Sequence, residues 1–173
     1  MKKILDLYAE LVPFFSGAGF CLLEPFDEVV SRVGDVSWYQ LDATLDAVLE
    51  KNNGWIGVSA STGSLTKESE VVRSLIYKNN IVSLLFGSKN SLYRIIVGDG
   101  YKGCYSGVQP GDELLALGEK FDLIFNDADD EFLLSEAGKI ISGISLVTDY
   151  RASLEHAPEQ KIKNISIHDW GAR

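Results

Sequence analysis

A glycine motif is the first candidate for chemistry in this chain. Residues 98–103 spell G-x-G-x-x-G after a predicted strand, which is the order found in a dinucleotide-binding turn. Such a turn must open a helix whose N-terminus faces the pyrophosphate, but residues 104–111 contain too much glycine and proline to form that helix. We therefore predict that Gly98 to Gly100 form a hairpin turn, and we expect no cofactor.

The serine motifs do not match a known arrangement for nucleophilic catalysis. Residues 57–61 lack the final glycine of a nucleophile elbow, and residues 64–67 match S-x-x-K without its usual partner motifs. The two histidines, His156 and His168, lie far along the chain, so only the fold can bring one to a nucleophile. We expect no catalytic residue, and we interpret His168 as a satisfied or surface histidine at the end of a strand.

Three acidic residues, Asp127, Asp129 and Glu131, alternate as calcium ligands do. The sixth position of a calcium loop should be glycine and is Phe132, whereas the twelfth should be glutamate and is Gly138. The sequence therefore excludes an EF-hand. The cysteines and histidines are too scattered for a zinc pattern, so we expect no metal.

Hydrophobic spacing divides the chain into two halves. Before residue 81, apolar residues recur every three or four positions, which predicts helices over residues 4–11, 26–33, 41–49 and 71–76. From Ile81 onward the period shortens towards two, which predicts strands and hairpins. The fold class expected is α+β: one domain over residues 1–173, with a helical part (1–80) packed on a mostly antiparallel sheet formed by residues 81–173.

Charge is unevenly distributed along the chain. The net charge is −9, and seven of the 25 acidic residues lie between Glu119 and Glu136 beside a single base, Lys120. This balance argues against nucleic acid or an anionic membrane as a direct partner and favours a basic protein surface. In the third predicted helix, Asp42, Asp46 and Glu50 recur every fourth residue, as either a solvated stripe or a second acidic patch.

Cysteine content and hydropathy bear on the compartment. Cys21 and Cys104 are expected to be free thiols, which is typical of a reducing cytoplasm. Asp6 and Glu10 interrupt the apolar N-terminal run, so no signal peptide is expected. No other window approaches the length of apolar sequence that a membrane span needs. We predict a cytoplasmic protein that does not enter a membrane.

Aromatic residues have two possible roles. Trp55, Tyr101 and Tyr105 are either core residues or anchors of a protein interface, because tryptophan and tyrosine are enriched at binding hot spots. The sequence leaves both interpretations open.

A series of glycine turns and acidic residues in the second half is similar to a known pattern. The series is Tyr101-Lys102-Gly103, Gly111-Asp112 with Leu114 and Leu117, Phe121-Asp122, residues 127–132 and residues 143–146. Over about residues 80–150 it resembles the β-rich module of bacterial immunity proteins, which are encoded beside polymorphic or contact-dependent toxins. The resemblance implies a small protein that neutralises a toxin domain.

These observations lead to one leading hypothesis and two alternatives, of which the less specific is a self-associating structural protein. The leading hypothesis is a non-enzymatic immunity protein that binds a basic toxin domain, such as a nuclease, through acidic surfaces. Its candidate contacts are Asp127, Asp129, Asp130 and Glu131 on a hairpin, Asp42, Asp46 and Glu50 as a second patch, and the aromatic residues Trp55, Tyr101 and Tyr105. The other alternative is a small-molecule enzyme or binding domain with a pocket between the helices and the sheet. The oligomeric state is left open.

Overall fold

The computed structural model describes residues 5–62 and 70–173, and strands predominate in this part of the chain. The strands are β1 (Ser16–Gly17), β2 (Phe20–Cys21), β3 (Val36–Trp38), β4 (Trp55–Thr62), β5 (Glu70–Tyr77), β6 (Val82–Phe86), β7 (Leu92–Val97), β8 (Asp122–Asn126), β9 (Glu131–Glu136), β10 (Lys139–Ile140), β11 (Ile144–Thr148) and β12 (Ile162–His168). The helices are α1 (Phe26–Val33), α2 (Leu45–Lys51), α3 (Leu115–Gly118) and a 3₁₀ turn, Trp170–Ala172.

Ten of these described strands form one sheet. Its order is β10-β9-β11-β12-β7-β6-β5-β4-β3, and β8 pairs with β9 beside this series. The neighbouring strands are antiparallel except β3 and β4, which are parallel. Because β12 lies between β7 and β11, its last residue, His168, is in register with Arg94 of β7. The sheet therefore brings together residues that are far apart in the chain.

The central strands are covered on both faces. In β5, Leu75 belongs to the main core, whereas its neighbour Ile76 packs with Leu49 of α2 and Ile56 of β4 in a second, smaller cluster. Neighbouring residues of a strand point to opposite faces, so each face of β5 contributes to a different cluster. Helix α2 covers the second face at this end of the sheet.

The prediction of a helical first half is wrong. The sheet takes β3, β4 and β5 from that half, and the described residues before Ile81 contain only two short helices, α1 and α2. The apolar residues at 71–76, predicted as a helix, lie in β5, and residues 59–62 belong to β4. The chain is a large antiparallel sheet with short helices at its periphery.

The first predicted helix is also wrong over its described residues. Residues 5–11 form no helix, and their backbone bonds instead to a distant segment. The amides of Lys102 and Gly103 both donate to the Leu7 carbonyl at 2.9 Å, and the Leu11 amide donates to the Cys104 carbonyl at 3.0 Å. A Cβ on Gly103 would lie 1.9 Å from the Ala9 oxygen, so only glycine permits this approach.

Other local predictions are confirmed. Helix α1 follows Pro25 and ends at Gly34, whose φ of 81° suits glycine. The hairpins β6–β7 and β8–β9 form where the apolar runs predicted them.

The hairpin predicted at Gly98 to Gly100 is wrong. These residues form a turn, since the Tyr101 amide donates to the Gly98 carbonyl at 3.1 Å, but no strand follows directly. Among the described helices, none has the length and hydropathy to cross a membrane.

Candidate functional site

A groove of about 400 Å³ with polar residues in its lining lies beside the acidic hairpin β8–β9. It lies where this hairpin, the turn before β11 and the residues that follow β12 meet. We call it the His168 groove; its lining is Phe14, Asn126, Asp129, Glu131, Leu133, residues 140–144 and residues 168–171. No lysine or arginine is among these described lining residues.

His168 is one of the buried polar residues of this groove. Its side chain is 6% exposed, and its Nε2 has no hydrogen-bond partner among the described residues. Its backbone amide donates to the Gly143 carbonyl at 3.1 Å, which fixes the end of β12 against the turn before β11. Burial, together with the nearby Arg94 charge, lowers the pKa of His168 below its ordinary value, so the imidazole is neutral at pH 7. The interpretation of this residue as a satisfied or surface histidine is wrong.

A buried ion pair lies beside His168. Arg94 donates from Nη2 to Glu131 Oε1 and from Nε to the Ser166 hydroxyl at 2.6 Å. The side chains of Arg94 and Glu131 are only 16% and 10% exposed. Glu131 is therefore a structural counterion of Arg94, and the prediction that it is a surface contact on the hairpin is wrong.

Trp170 forms the outer wall of the groove. Its ring centroid lies 4.7 Å from that of His168, and the Arg94 guanidinium carbon lies 5.1 Å from the Trp170 centroid. Asp169 Oδ1 accepts from the Gly171 amide at 2.9 Å and so caps the 3₁₀ turn that carries the indole. Trp170 remains 47% exposed, which leaves a large part of it open to a partner.

Phe14 and Ile140 add apolar surface, each with 55% of its area exposed. The Phe14 amide donates to the Gly143 carbonyl at 3.2 Å. Gly143 has a φ of 82°, and a Cβ there would lie 2.3 Å from the Phe14 nitrogen. Glycine at this position is thus what allows Phe14 to lie at the groove.

The turn of the acidic hairpin carries the other predicted contacts. Asp127 and Asp129 are exposed, and Asn126 Nδ2 donates to Asp129 Oδ2 at 3.0 Å, which orders the turn. Asp130 faces Arg151 at 3.4 Å in an exposed ion pair, so its charge is partly compensated. Of the four hairpin acids, Asp129 and Glu131 line the groove.

The second predicted patch lies elsewhere. Helix α2 begins at Leu45 after its N-cap Thr44, so Asp46 and Glu50 share a helical face whereas Asp42 precedes the helix. All three acids are exposed. Because α2 packs at β4 and β5, and the groove lies at β9 and β12, the structure does not bring the two acidic patches together.

Two of the three predicted aromatic anchors are core residues. Trp55 is 6% exposed and Tyr101 is 1% exposed, so neither offers a surface to a partner and that prediction is wrong for both. The Tyr101 hydroxyl accepts from the Ala18 amide at 3.1 Å and donates to the Ala9 carbonyl at 2.6 Å, and burial raises its pKa to about 12. Tyr105 is half-buried and stacks on Phe121.

The aromatic residues that line the groove, Phe14 and Trp170, were not among the contacts predicted from the sequence. Trp170 had one usable signal, since it follows the only histidine that ends a predicted strand. Phe14 had none, because its position depends on a backbone contact with Gly143, distant in the chain.

Other chemistry receives no support from the described residues. Within residues 5–62 and 70–173, no three His, Cys, Asp or Glu side chains are grouped so as to hold a metal ion. Cys21 and Cys104 are free and partly exposed. The S-x-x-K motif at 64–67 lies outside the described residues.

Comparisons of the chain with protein-family models, with curated proteins and with solved structures found no match. The resemblance to immunity proteins stays a prediction.

Proposed function

We propose that this chain is a non-enzymatic immunity protein that binds and neutralises a cognate toxin domain with a basic surface, such as a nuclease. The observation that carries the proposal is the composition of the His168 groove. Exposed Phe14, Ile140 and Trp170 line the groove together with the carboxylates of Asp129 and Asp169, with no lysine or arginine among the described lining residues. Protein interfaces commonly combine aromatic anchors with charges complementary to the partner.

Charge supports the same proposal. A nuclease presents a basic surface to nucleic acid, and a protein with a net charge of −9 associates quickly with such a surface. The hairpin acids Asp127 and Asp129 project beside the groove and are placed to attract a basic partner. We propose that the protein acts in the cytoplasm, where its two free thiols stay reduced.

Co-expression with the product of the adjacent gene, followed by affinity purification of the tagged chain, tests this function. We expect a basic protein to co-purify, and the purified complex to lack the toxin activity of the free partner. A partner that is acidic, or that keeps its activity in the complex, contradicts the proposal.

The hairpin acids then offer a kinetic test. Asp127, Asp129 and Asp130 changed together to Asn should slow association several-fold at low salt and weaken its salt dependence, because surface charges act mainly on the association rate. The matched control carries the same loss of charge on α2 and the segment before it, through Asp42→Asn, Asp46→Asn and Glu50→Gln. Equal association rates for the two variants would contradict a special role for the hairpin.

A second candidate function is the binding of a small molecule. The observations that favour it are a groove volume within the usual range of ligand pockets and the unpaired Nε2 of His168. This groove lies at strand ends and turns, not between the helices and the sheet as the sequence analysis expected. A metabolite that co-purifies with the chain, and whose binding is lost in His168→Gln, would favour this function.

A further inference from the structure

We propose that the His168 groove accepts an arginine side chain of the partner protein. This inference rests on the proposed function and names the chemistry of its central contact. The occupant is a guanidinium group that lies against Trp170 and pairs with the carboxylates of Asp129 and Asp169.

Charge complementarity is the first argument. Three carboxylates line the groove, from Asp129, Glu131 and Asp169. One of them, Glu131, is already paired with Arg94, which leaves Asp129 and Asp169 without a cation in the described structure. A partly enclosed cavity with two such carboxylates favours a cationic occupant over an anionic or neutral one.

The aromatic wall favours arginine over lysine. Trp170 already holds the Arg94 guanidinium against its ring, at 5.1 Å from the centroid, and it is still 47% exposed. A guanidinium is planar and weakly hydrated, so it stacks on aromatic rings. It also forms bidentate hydrogen bonds with carboxylates. The compact ammonium of lysine gains less from the same surroundings.

His168 gives an independent indication of an occupant. His168 is buried, with only 6% of its area exposed. Its Nε2 has no hydrogen-bond partner among the described residues. Unpaired buried polar atoms are unfavourable, and a neutral imidazole has one nitrogen that accepts a hydrogen bond. A guanidinium N–H of the occupant, held beside the Trp170 ring that contacts the imidazole, satisfies this nitrogen.

The test uses the whole protein and a defined probe, N-acetyl-arginine methylamide, in an NMR titration. We expect saturable shifts of the Trp170 indole N–H and the His168 ring. Asp129→Asn with Asp169→Asn should weaken binding about tenfold, the loss expected for charge-assisted hydrogen bonds. Asparagine also caps helices, so this change retains the 3₁₀ turn. The control, Asp27→Asn with Glu28→Gln at two exposed positions of α1, should bind as wild type does.

Two related probes give the opposing outcomes. The citrulline analogue has the same shape without the charge, and the lysine analogue has the charge without the planar group. Equal binding of either analogue, or the absence of shifts at Trp170, overturns the assignment to arginine.

Capture of the toxin partner, compared with binding of the arginine probe, separates the failure of this inference from the failure of the proposed function. If a basic toxin is captured equally well by wild type and by the Asp129→Asn, Asp169→Asn variant, the function stands and the arginine site is wrong. If the arginine probe binds the groove but the adjacent gene product is not captured, the site stands and the proposed function is wrong.

Discussion

Arg94 and Glu131 form an ion pair that joins β7 to β9 across the two strands, β12 and β11, that separate them in the sheet. Both side chains are largely buried, and the guanidinium also bonds to Ser166 of β12. This pair fixes the relative positions of three strands next to His168. The shape of the groove therefore depends on an ion pair to which one of its own lining residues, Glu131, contributes.

Removing one partner of this pair should destabilise the fold. Glu131→Gln leaves the Arg94 charge buried without a counterion, so the free energy of unfolding should fall by about 3 kcal/mol. Urea unfolding of the purified variant measures this change. The matched control is Asp130→Asn, which breaks the exposed pair with Arg151 and should cost less than about 1 kcal/mol. Similar losses in the two variants would show that the buried pair contributes no more to stability than the exposed pair does.

The free energy of unfolding should depend on the protonation of His168. Its folded pKa lies below the unfolded value of about 6.5, so the unfolded chain binds the proton first as the pH falls. Stability from this residue is fully present above that unfolded value and is lost as the pH falls from there towards the folded pKa. Urea unfolding at a series of pH values between 8 and 5, roughly the range around the histidine pKa, measures this loss.

Two variants isolate the contribution of His168 to that pH dependence. His168→Gln should unfold with a shallower pH dependence than wild type over this range, because glutamine does not titrate. His156→Gln is the matched control, because it makes the same substitution at the exposed histidine outside the groove. The same slope in wild type and His168→Gln would contradict the lowered pKa.

The Tyr101 hydroxyl should contribute to stability through its two backbone partners. Tyr101→Phe leaves the Ala18 amide and the Ala9 carbonyl without this bond inside the protein, so we expect a loss of about 1–3 kcal/mol. Tyr150→Phe, at a side chain that is 66% exposed, is the control and should change stability little. Thermal or urea unfolding compares the two; a neutral effect of Tyr101→Phe would mean that water replaces the hydroxyl.

Gly143 should tolerate no side chain. Alanine there must adopt a φ of 82° and also displace the Phe14 backbone, whereas alanine at Gly138 meets nothing within 4 Å at a φ of 75°. Both changes carry the strain of the left-handed backbone, and the steric clash should add about 1–3 kcal/mol to Gly143→Ala alone. Urea unfolding of the two variants provides the comparison. An equal loss of stability in the two variants would mean that the Phe14 backbone shifts away from the added methyl group at no cost in free energy.

Sequence patterns predicted the elements whose apolar runs are bounded by turn residues. Helix α1 and the hairpins β6–β7 and β8–β9 follow their apolar spacing and turn residues. Strand β5 does not, because Leu75 and Ile76 are both buried on opposite faces and a strand covered on two sides loses its alternation. Its apolar pairs then satisfy the helical period equally well, which explains the wrong prediction of a helical first half.

The groove was less predictable than the sheet. The acidic hairpin was visible in the sequence, but which of its acids are free depends on Arg94 and Arg151, distant in the chain. The environment of His168 was predicted wrongly, because only the order of β9, β11, β12 and β7 places it beside Arg94. Non-local pairing of this kind leaves no local sequence signal.

The position of β12 between β7 and β11 also determines when the sheet can close during synthesis. Strand β7 ends at Val97, and its partner β12 begins only at Ile162. Pairings this distant in sequence form late and slowly, and until then β7 and β11 each present an unpaired edge. A nascent chain that has not yet extended through residues 162–171 therefore exposes two edges open to chaperones or to aggregation. Recognition of any partner at the groove becomes possible at the same step that removes those edges.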